Sequence, residues 1–270
     1  MKDNITMPGT PMDAKQPRGL YVLFFTELWE RYGFYTVQAL LILFLTKHFL
    51  FSDERAYSIF GAYGALIYAT PVIGGYLADK LLGFRHAIFL GGALFIIGYA
   101  LMAYLGSGVW FYISLSFLIC GNGFFKSNVS SLLGRFYAEN DIRRDSGFTL
   151  FYMGINVGSF LATLFGAVIA IKFGWNIAFG CAALGMLLGM LCFTIGQKHI
   201  AHRGDPPNIA LLKEKKYLNI PNVYWVYLST FAAVALMSFL LEFATVVRWG
   251  LLLFGMLTII YVRTYALTRI

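Results

Sequence analysis

The chain has 270 residues, 59% hydrophobic and only 13% charged, with 21 Lys and Arg against 13 Asp and Glu for a formal charge of +8. Together with a mean hydropathy of +0.69, this excludes a soluble globular domain and marks an integral membrane protein. The apolar runs are long and continuous, which argues against a closed barrel, and no soluble basic face with interleaved aromatics is present to hold nucleic acid.

In chain order, the segment before Arg18 carries Pro8, Pro11 and Pro17 but no short apolar core with a cleavage site, and reads as a disordered tail rather than a signal peptide. Eight runs of spanning length follow, at about 19–45, 56–78, 86–106, 109–132, 146–171, 175–197, 222–242 and 247–266. The first six are closely spaced. A polar stretch with Pro206, Pro207, Lys213, Lys215 and Lys216 sets the last two apart and has room for a short surface helix. The expected organisation is a cytoplasmic tail (1–18), a six-helix bundle (19–197), a cytoplasmic linker (198–221) and a two-helix hairpin (222–270).

With the amino terminus placed in the cytoplasm, fifteen Lys and Arg fall on the cytoplasmic side, and only Lys47, Arg55, Lys172 and Arg248 on the other. This asymmetry predicts cytoplasmic termini and accounts for the positive charge without nucleic acid. Cys120, Cys181 and Cys192 lie in apolar runs, with neither metal-ligand spacing nor a disulfide framework. His48, His86, His199 and His202 lie at span ends or in loops and are not assigned to proton transfer.

Three ionisable residues interrupt the first span. Glu27, Glu30 and Arg31 stand at i, i+3 and i+4, on one helix face, with Phe34 and Tyr35 a turn further on. A charge at the centre of a span costs about 3 kcal/mol and usually faces a protein interior or a watery path. Lys126 lies in the fourth span, beside Gly121 and Gly123, whose small size permits close helix approach. If it faces the first span, two acids balance two bases. Such a group can serve as a static strut, but an ion pair that exchanges partners or gives up a proton is the physical minimum for coupling proton movement to a solute.

Glu27-Leu28-Trp29-Glu30-Arg31-Tyr32-Gly33-Phe34-Tyr35 resembles the Glu-x-x-Glu-Arg motif on the first helix of proton-dependent oligopeptide transporters, a branch of the major facilitator superfamily. The run Phe148 to Phe160, with Tyr152, Gly154, Asn156 and Gly158, is similar to a second signature of that family. Gly74-Gly75-Tyr76-Leu77-Ala78-Asp79, then Gly83 and Arg85, resembles its loop motif after the second helix. The chain departs from the pattern at Phe34, Thr36, Gln38 and Ser127, which leaves substrate preference open.

The resemblance implies an all-α membrane protein, the six-helix amino-terminal bundle of a major facilitator fold plus an extra two-helix transmembrane hairpin. It also implies a peptide:proton symporter of the bacterial inner (plasma) membrane, with di- or tripeptides as substrates, lipid around it, protons as the coupling ion and no cofactor or metal. Glu27, Glu30, Arg31 and Lys126 would couple protons. Arg31, Tyr35, Tyr68, Lys126 and Asn156 would bind peptide, and Asp79 and Arg85 would serve the cytoplasmic gate. Taken as residues alone, Tyr35 and Tyr68 equally suit helix packing, and Asn156 an interhelical hydrogen bond beside Gly154 and Gly158.

The resemblance covers only the first bundle and the two helices that bacterial members insert after it, and the second six-helix bundle is expected to be absent. One bundle supplies half of a midplane site. Three readings follow: a truncated amino-terminal half, a chain that pairs with a second one supplying the carboxy-terminal bundle, or a non-transporting membrane subunit. An enzyme is not expected, since no nucleophile with a base, metal-ligand cluster or phosphate loop is present.

Overall fold

The computed structural model describes residues 15–215 and 218–268. The expected tail before residue 15 lies outside them. α1 spans Arg18–Leu43, α2 Asp53–Leu77, α3 Gly83–Leu105, α4 Val109–Gly134, α5 Arg143–Phe173 and α6 Trp175–Ile195. The short α7 (Gln197–Ile200) and α8 (Ile209–Lys213) lead to α9 (Asn222–Glu242) and α10 (Ala244–Thr268). The run Asp53–Leu105, which holds α2 and α3, and helices α4, α5, α6, α9 and α10 are long and apolar enough to cross a membrane. α1 matches them in length but carries Glu27, Glu30 and Arg31.

Local chemistry sets the ends. α2 begins at Asp53, earlier than hydropathy suggests, because Ser52 caps it: the Oγ accepts from the Arg55 amide, and Asp53 and Glu54 sit at the positive end of the helix. A π-helical turn, Ala78–Leu82, leads from α2 into α3. The α5–α6 corner is a single residue, Gly174, at φ 93°, a backbone conformation that a side chain would strain. Just before α1, Lys15 and Gln16 are held and not free: Gln16 donates to the Arg143 carbonyl and Ser146 Oγ and accepts from the Tyr137 hydroxyl, while Arg143 donates to the Lys15 carbonyl.

α1 packs against α5 and α6, α4 packs against α2 and α3, and α3 packs against α6. Exchanging α1 with α4, α2 with α5 and α3 with α6 maps this set of neighbours onto itself, the pattern of two three-helix repeats of inverted topology. Small residues bring the paired helices together on both sides. Gly154 and Gly158 of α5 lie against the Phe24 and Leu28 carbonyls of α1, and Gly74 of α2 lies against the Gly123 carbonyl of α4. Lipid tails are as apolar as leucine, so such close packing replaces the hydrophobic drive of a soluble core. α9 runs along α4 and α10 against α2.

Candidate functional site

α1 turns its charged face inward, where Glu27, Glu30 and Arg31 are 1%, 0% and 3% exposed. The guanidinium holds Glu30 through two nitrogens, Nε to Oε2 and Nη2 to Oε1, the latter at 2.6 Å. The same Nε lies 3.3 Å from Glu27 Oε1, and the Arg31 guanidinium stacks 4.5 Å over the Phe34 ring. Lys126 reaches in from α4, with Nζ 3.8 Å from Glu27 Oε1, and is 36% exposed. All four charges therefore meet, two of each sign. Glu27 Oε2 is buried and accepts no hydrogen bond from any described residue, so one carboxylate oxygen is left open to a proton.

Two buried phenols that sequence reasoning missed, Tyr63 of α2 and Tyr99 of α3, lie within electrostatic range of Glu30 and Arg31. Tyr99 packs against the bare backbone of Gly33, where a Cβ would meet its ring. They could not be singled out among 17 tyrosines without the fold.

A second missed feature is a polar seam between α2 and α4. Pro71 sits inside α2 and has no N–H for the carbonyl four residues before it, Ile67. Asn122 of α4 supplies the donor, Nδ2 to Ile67 O at 2.6 Å. Thr70 Oγ1 donates to the Ile119 carbonyl at 2.9 Å, Ser127 Oγ to Pro71 O at 3.2 Å and Asn128 Nδ2 to Gly74 O at 3.3 Å. In hydrocarbon every backbone group needs a partner, so the seam satisfies the interrupted helix and fixes α4, with Lys126 on it, relative to α2. A proline within one apolar run and an asparagine within another were the signal.

Two of the three remaining expected peptide-binding residues lie on open surface. Tyr68 is 70% exposed on α2, Asn156 is exposed on α5, and Tyr35 is half-buried with its ring edge-on to Phe34. Among the described residues Asn156 makes no interhelical hydrogen bond; Ser159 Oγ donates to its carbonyl within α5. α5 further exposes Tyr152, Met153, Val157, Phe160 and Leu164.

Arg85 and Asp79 are not drawn into this site. Arg85 Nη1 pairs with Asp205 Oδ1 at 3.1 Å, in the linker after α6, and His202 Nδ1 stands 2.7 Å from the other oxygen of Asp205. Arg135 donates to the Arg203 carbonyl and stacks on Phe84, and Arg203 stacks on Phe136. Asp79 is exposed in the π turn.

A model of the POT family matches residues 85–235. The chain is 37% identical over 256 residues to dipeptide and tripeptide permease A of Serratia proteamaculans (strain 568), covering 94% of this chain and 49% of that protein. It is 37% identical over 251 residues to the permease of the same name from Yersinia pestis, covering 93% of this chain and 49% of that protein. A crystal structure of peptide transporter POT in complex with sulfate superposes with a TM-score of 0.70 at 34% identity, over 83% of this chain and 46% of that one. A POT family transporter in complex with a thioalcohol-conjugated peptide gives 0.74 at 30% identity, over 91% and 52%. The chain spans about half the length of the curated relatives it matches. These likenesses agree with the expected fold, an all-helical membrane protein of the major facilitator type.

Proposed function

Because this chain belongs to the POT family, we infer that it forms the amino-terminal half of a proton-coupled di- and tripeptide symporter, in which protons move inward with peptide. The reading rests on one observation above the rest: three buried ionisable groups in mid-span, with a lysine from another helix closing the cluster at its open side. Glu27 has an oxygen available for a proton, and protonation there cancels the charge that holds Lys126. Arg31 and Lys126 are the cations for a peptide carboxylate, and the half-buried Tyr35 with the exposed Tyr68 and Asn156 offer hydrogen bonds to its backbone. Arg85 contributes to the cytoplasmic side by holding the linker, with Asp79 beside the same turn.

The proposed setting is a bacterial inner membrane with both termini cytoplasmic, surrounded by lipid. A second six-helix bundle, in a longer form of the chain or from a second chain, completes the pathway. The test is uptake of a labelled dipeptide into liposomes with and without an inward proton gradient. The chain is reconstituted alone and together with a carboxy-terminal bundle from a related dipeptide and tripeptide permease. Gradient-driven uptake only in the combined liposomes is the expected result. No uptake from folded, co-inserted halves would overturn the reading in favour of a non-transporting membrane subunit.

A further inference from the structure

Asn122 does more in this geometry than repair α2. It is 3% exposed and lies one turn before Lys126, on the same face of α4. Its amide has a fixed sense, because the carbonyl left free by Pro71 requires a donor and only Nδ2 can give one. Oδ1 is therefore left as an acceptor, buried, with no hydrogen bond from any described residue. Long side chains on a helix lean towards its amino terminus, so the Lys126 stem is directed over the turn that holds Asn122. At 3.8 Å, the contact from Lys126 Nζ to Glu27 is an ion pair but too long for a hydrogen bond.

We propose that Asn122 Oδ1 is the second seat of the Lys126 ammonium. Ionised Glu27 holds the lysine, and when a proton binds the free oxygen of Glu27 the ammonium lets go and donates to Asn122. The proton taken up by Glu27 is the only one that moves, so the cluster gains one positive charge with it. The other groups around the ammonium do not compete. On α1, Glu30 already accepts two bonds from Arg31, and Arg31 repels the ammonium. Tyr63 on α2 and Tyr99 on α3 lie on the Glu30–Arg31 side. On the lysine's own helix Asn122 and Asn128 each leave a buried Oδ1, but Asn122 stands one turn from Lys126 on its face, whereas Asn128, two residues on, does not. Asn122 is thus a positioning residue. The proposal rests on the proton-coupling reading given above, and it adds where the lysine goes.

Thermal unfolding of the purified chain in detergent tests it without peptide, gradient or second bundle, so a failed uptake assay leaves this test intact. Asn122→Leu and Lys126→Met are combined in a double-mutant cycle, once with Glu27 and once with Glu27→Gln standing for the protonated acid. With Glu27 the two changes should be additive, because the lysine is held elsewhere. With Glu27→Gln, replacing Asn122 should cost about 2–4 °C more in Tm when Lys126 is present than when it is methionine. A purely structural role predicts the same cost in every background, because the bond to Ile67 ignores the lysine. Equal coupling in both backgrounds, or none with Glu27→Gln, would overturn the proposal. If Asn122→Leu does not fold, the same cycle is run in a Pro71→Ala background, where the helix supplies Ile67 with its own donor.

Discussion

Lys126 is the one member of the charged cluster that comes from another helix: its Nζ stands 3.8 Å from Glu27 Oε1, whereas Arg31 approaches the same oxygen from one turn away on α1, at 3.3 Å. Removing Lys126 therefore cuts the ionic link between the inverted repeats and leaves the α1 pairs in place. In an assembly that transports, Lys126→Ala should lower proton-driven dipeptide uptake about 100-fold, while the half-exposed lysine makes its loss mild for folding. Wild-type uptake would end its proposed role.

Glu30→Gln acts differently, since Arg31 then loses its two-pronged partner inside the bundle. Leaving a buried charge without its partner costs about 3 kcal/mol, so the expected result is a lower Tm together with loss of gradient-driven uptake. An unchanged Tm would show that Glu27 alone suffices for Arg31.

The repair of α2 by α4 can be tested through its cause. Asn122→Ala should cost about 1–3 kcal/mol where Pro71 leaves Ile67 without a donor. In a Pro71→Ala background the helix supplies that donor itself, and the same change should cost clearly less. A double-mutant cycle read by denaturant titration gives the coupling, and additivity would disprove the repair.

Close packing between α1 and α5 depends on a missing side chain. A Cβ on Gly158 would run into the Leu28 carbonyl, so Gly158→Ala should cost about 1–3 kcal/mol. Gly180 of α6 has nothing within 4 Å of an added Cβ, and there Gly180→Ala should be neutral or stabilise by up to about 1 kcal/mol. Equal effects in a thermal unfolding assay would refute the packing argument.

Asp141, in the loop before α5, accepts hydrogen bonds from the Arg143 side chain and then its amide, which hold the carboxyl down at about 2 from an ordinary 3.8. A lowered folded value means stabilisation that is complete above pH 3.8 and lost as pH falls towards 2. The Tm of the wild type should therefore drop more steeply over this range than that of Asp141→Asn. Parallel curves would show that the loop contact does not contribute.

Arg85→Ala should free the linker without unfolding the bundle. The Arg85–Asp205 pair is about one-third exposed, worth about 1 kcal/mol at most, so tryptic cleavage at Arg203 or Lys213 should quicken up to about fivefold at unchanged Tm.

The helices were legible because spanning length and apolarity are local properties, and the charged face of α1 because Glu27, Glu30 and Arg31 contradict their surroundings at helical spacing. That Lys126 could meet them was legible only as a condition, from its sign and the cost of leaving it alone, and was otherwise implied by the family resemblance. What could not be read was pairing across distance. Ile67 with Asn122 and Arg85 with Asp205 are 55 and 120 residues apart, and only the packing of α2 on α4 and of the linker on α3 joins them. The hold on Gln16 was hidden for the same reason, since its partners lie in the loop before α5 and in the first turn of α5. The start of α2 was misjudged because capping by Ser52 extends a helix beyond its apolar run.

The two-nitrogen grip of Arg31 on Glu30 also bears on how the chain is made. Glu27 leaves the ribosome about a hundred residues before Lys126, an interval of roughly 5–20 s at ordinary translation rates. During that time α2 and α3 are made, but the lysine that pairs with Glu27 is not. Adjacent in sequence and mutually neutralising, Glu30 and Arg31 reduce the load of nascent α1 to the single carboxyl of Glu27.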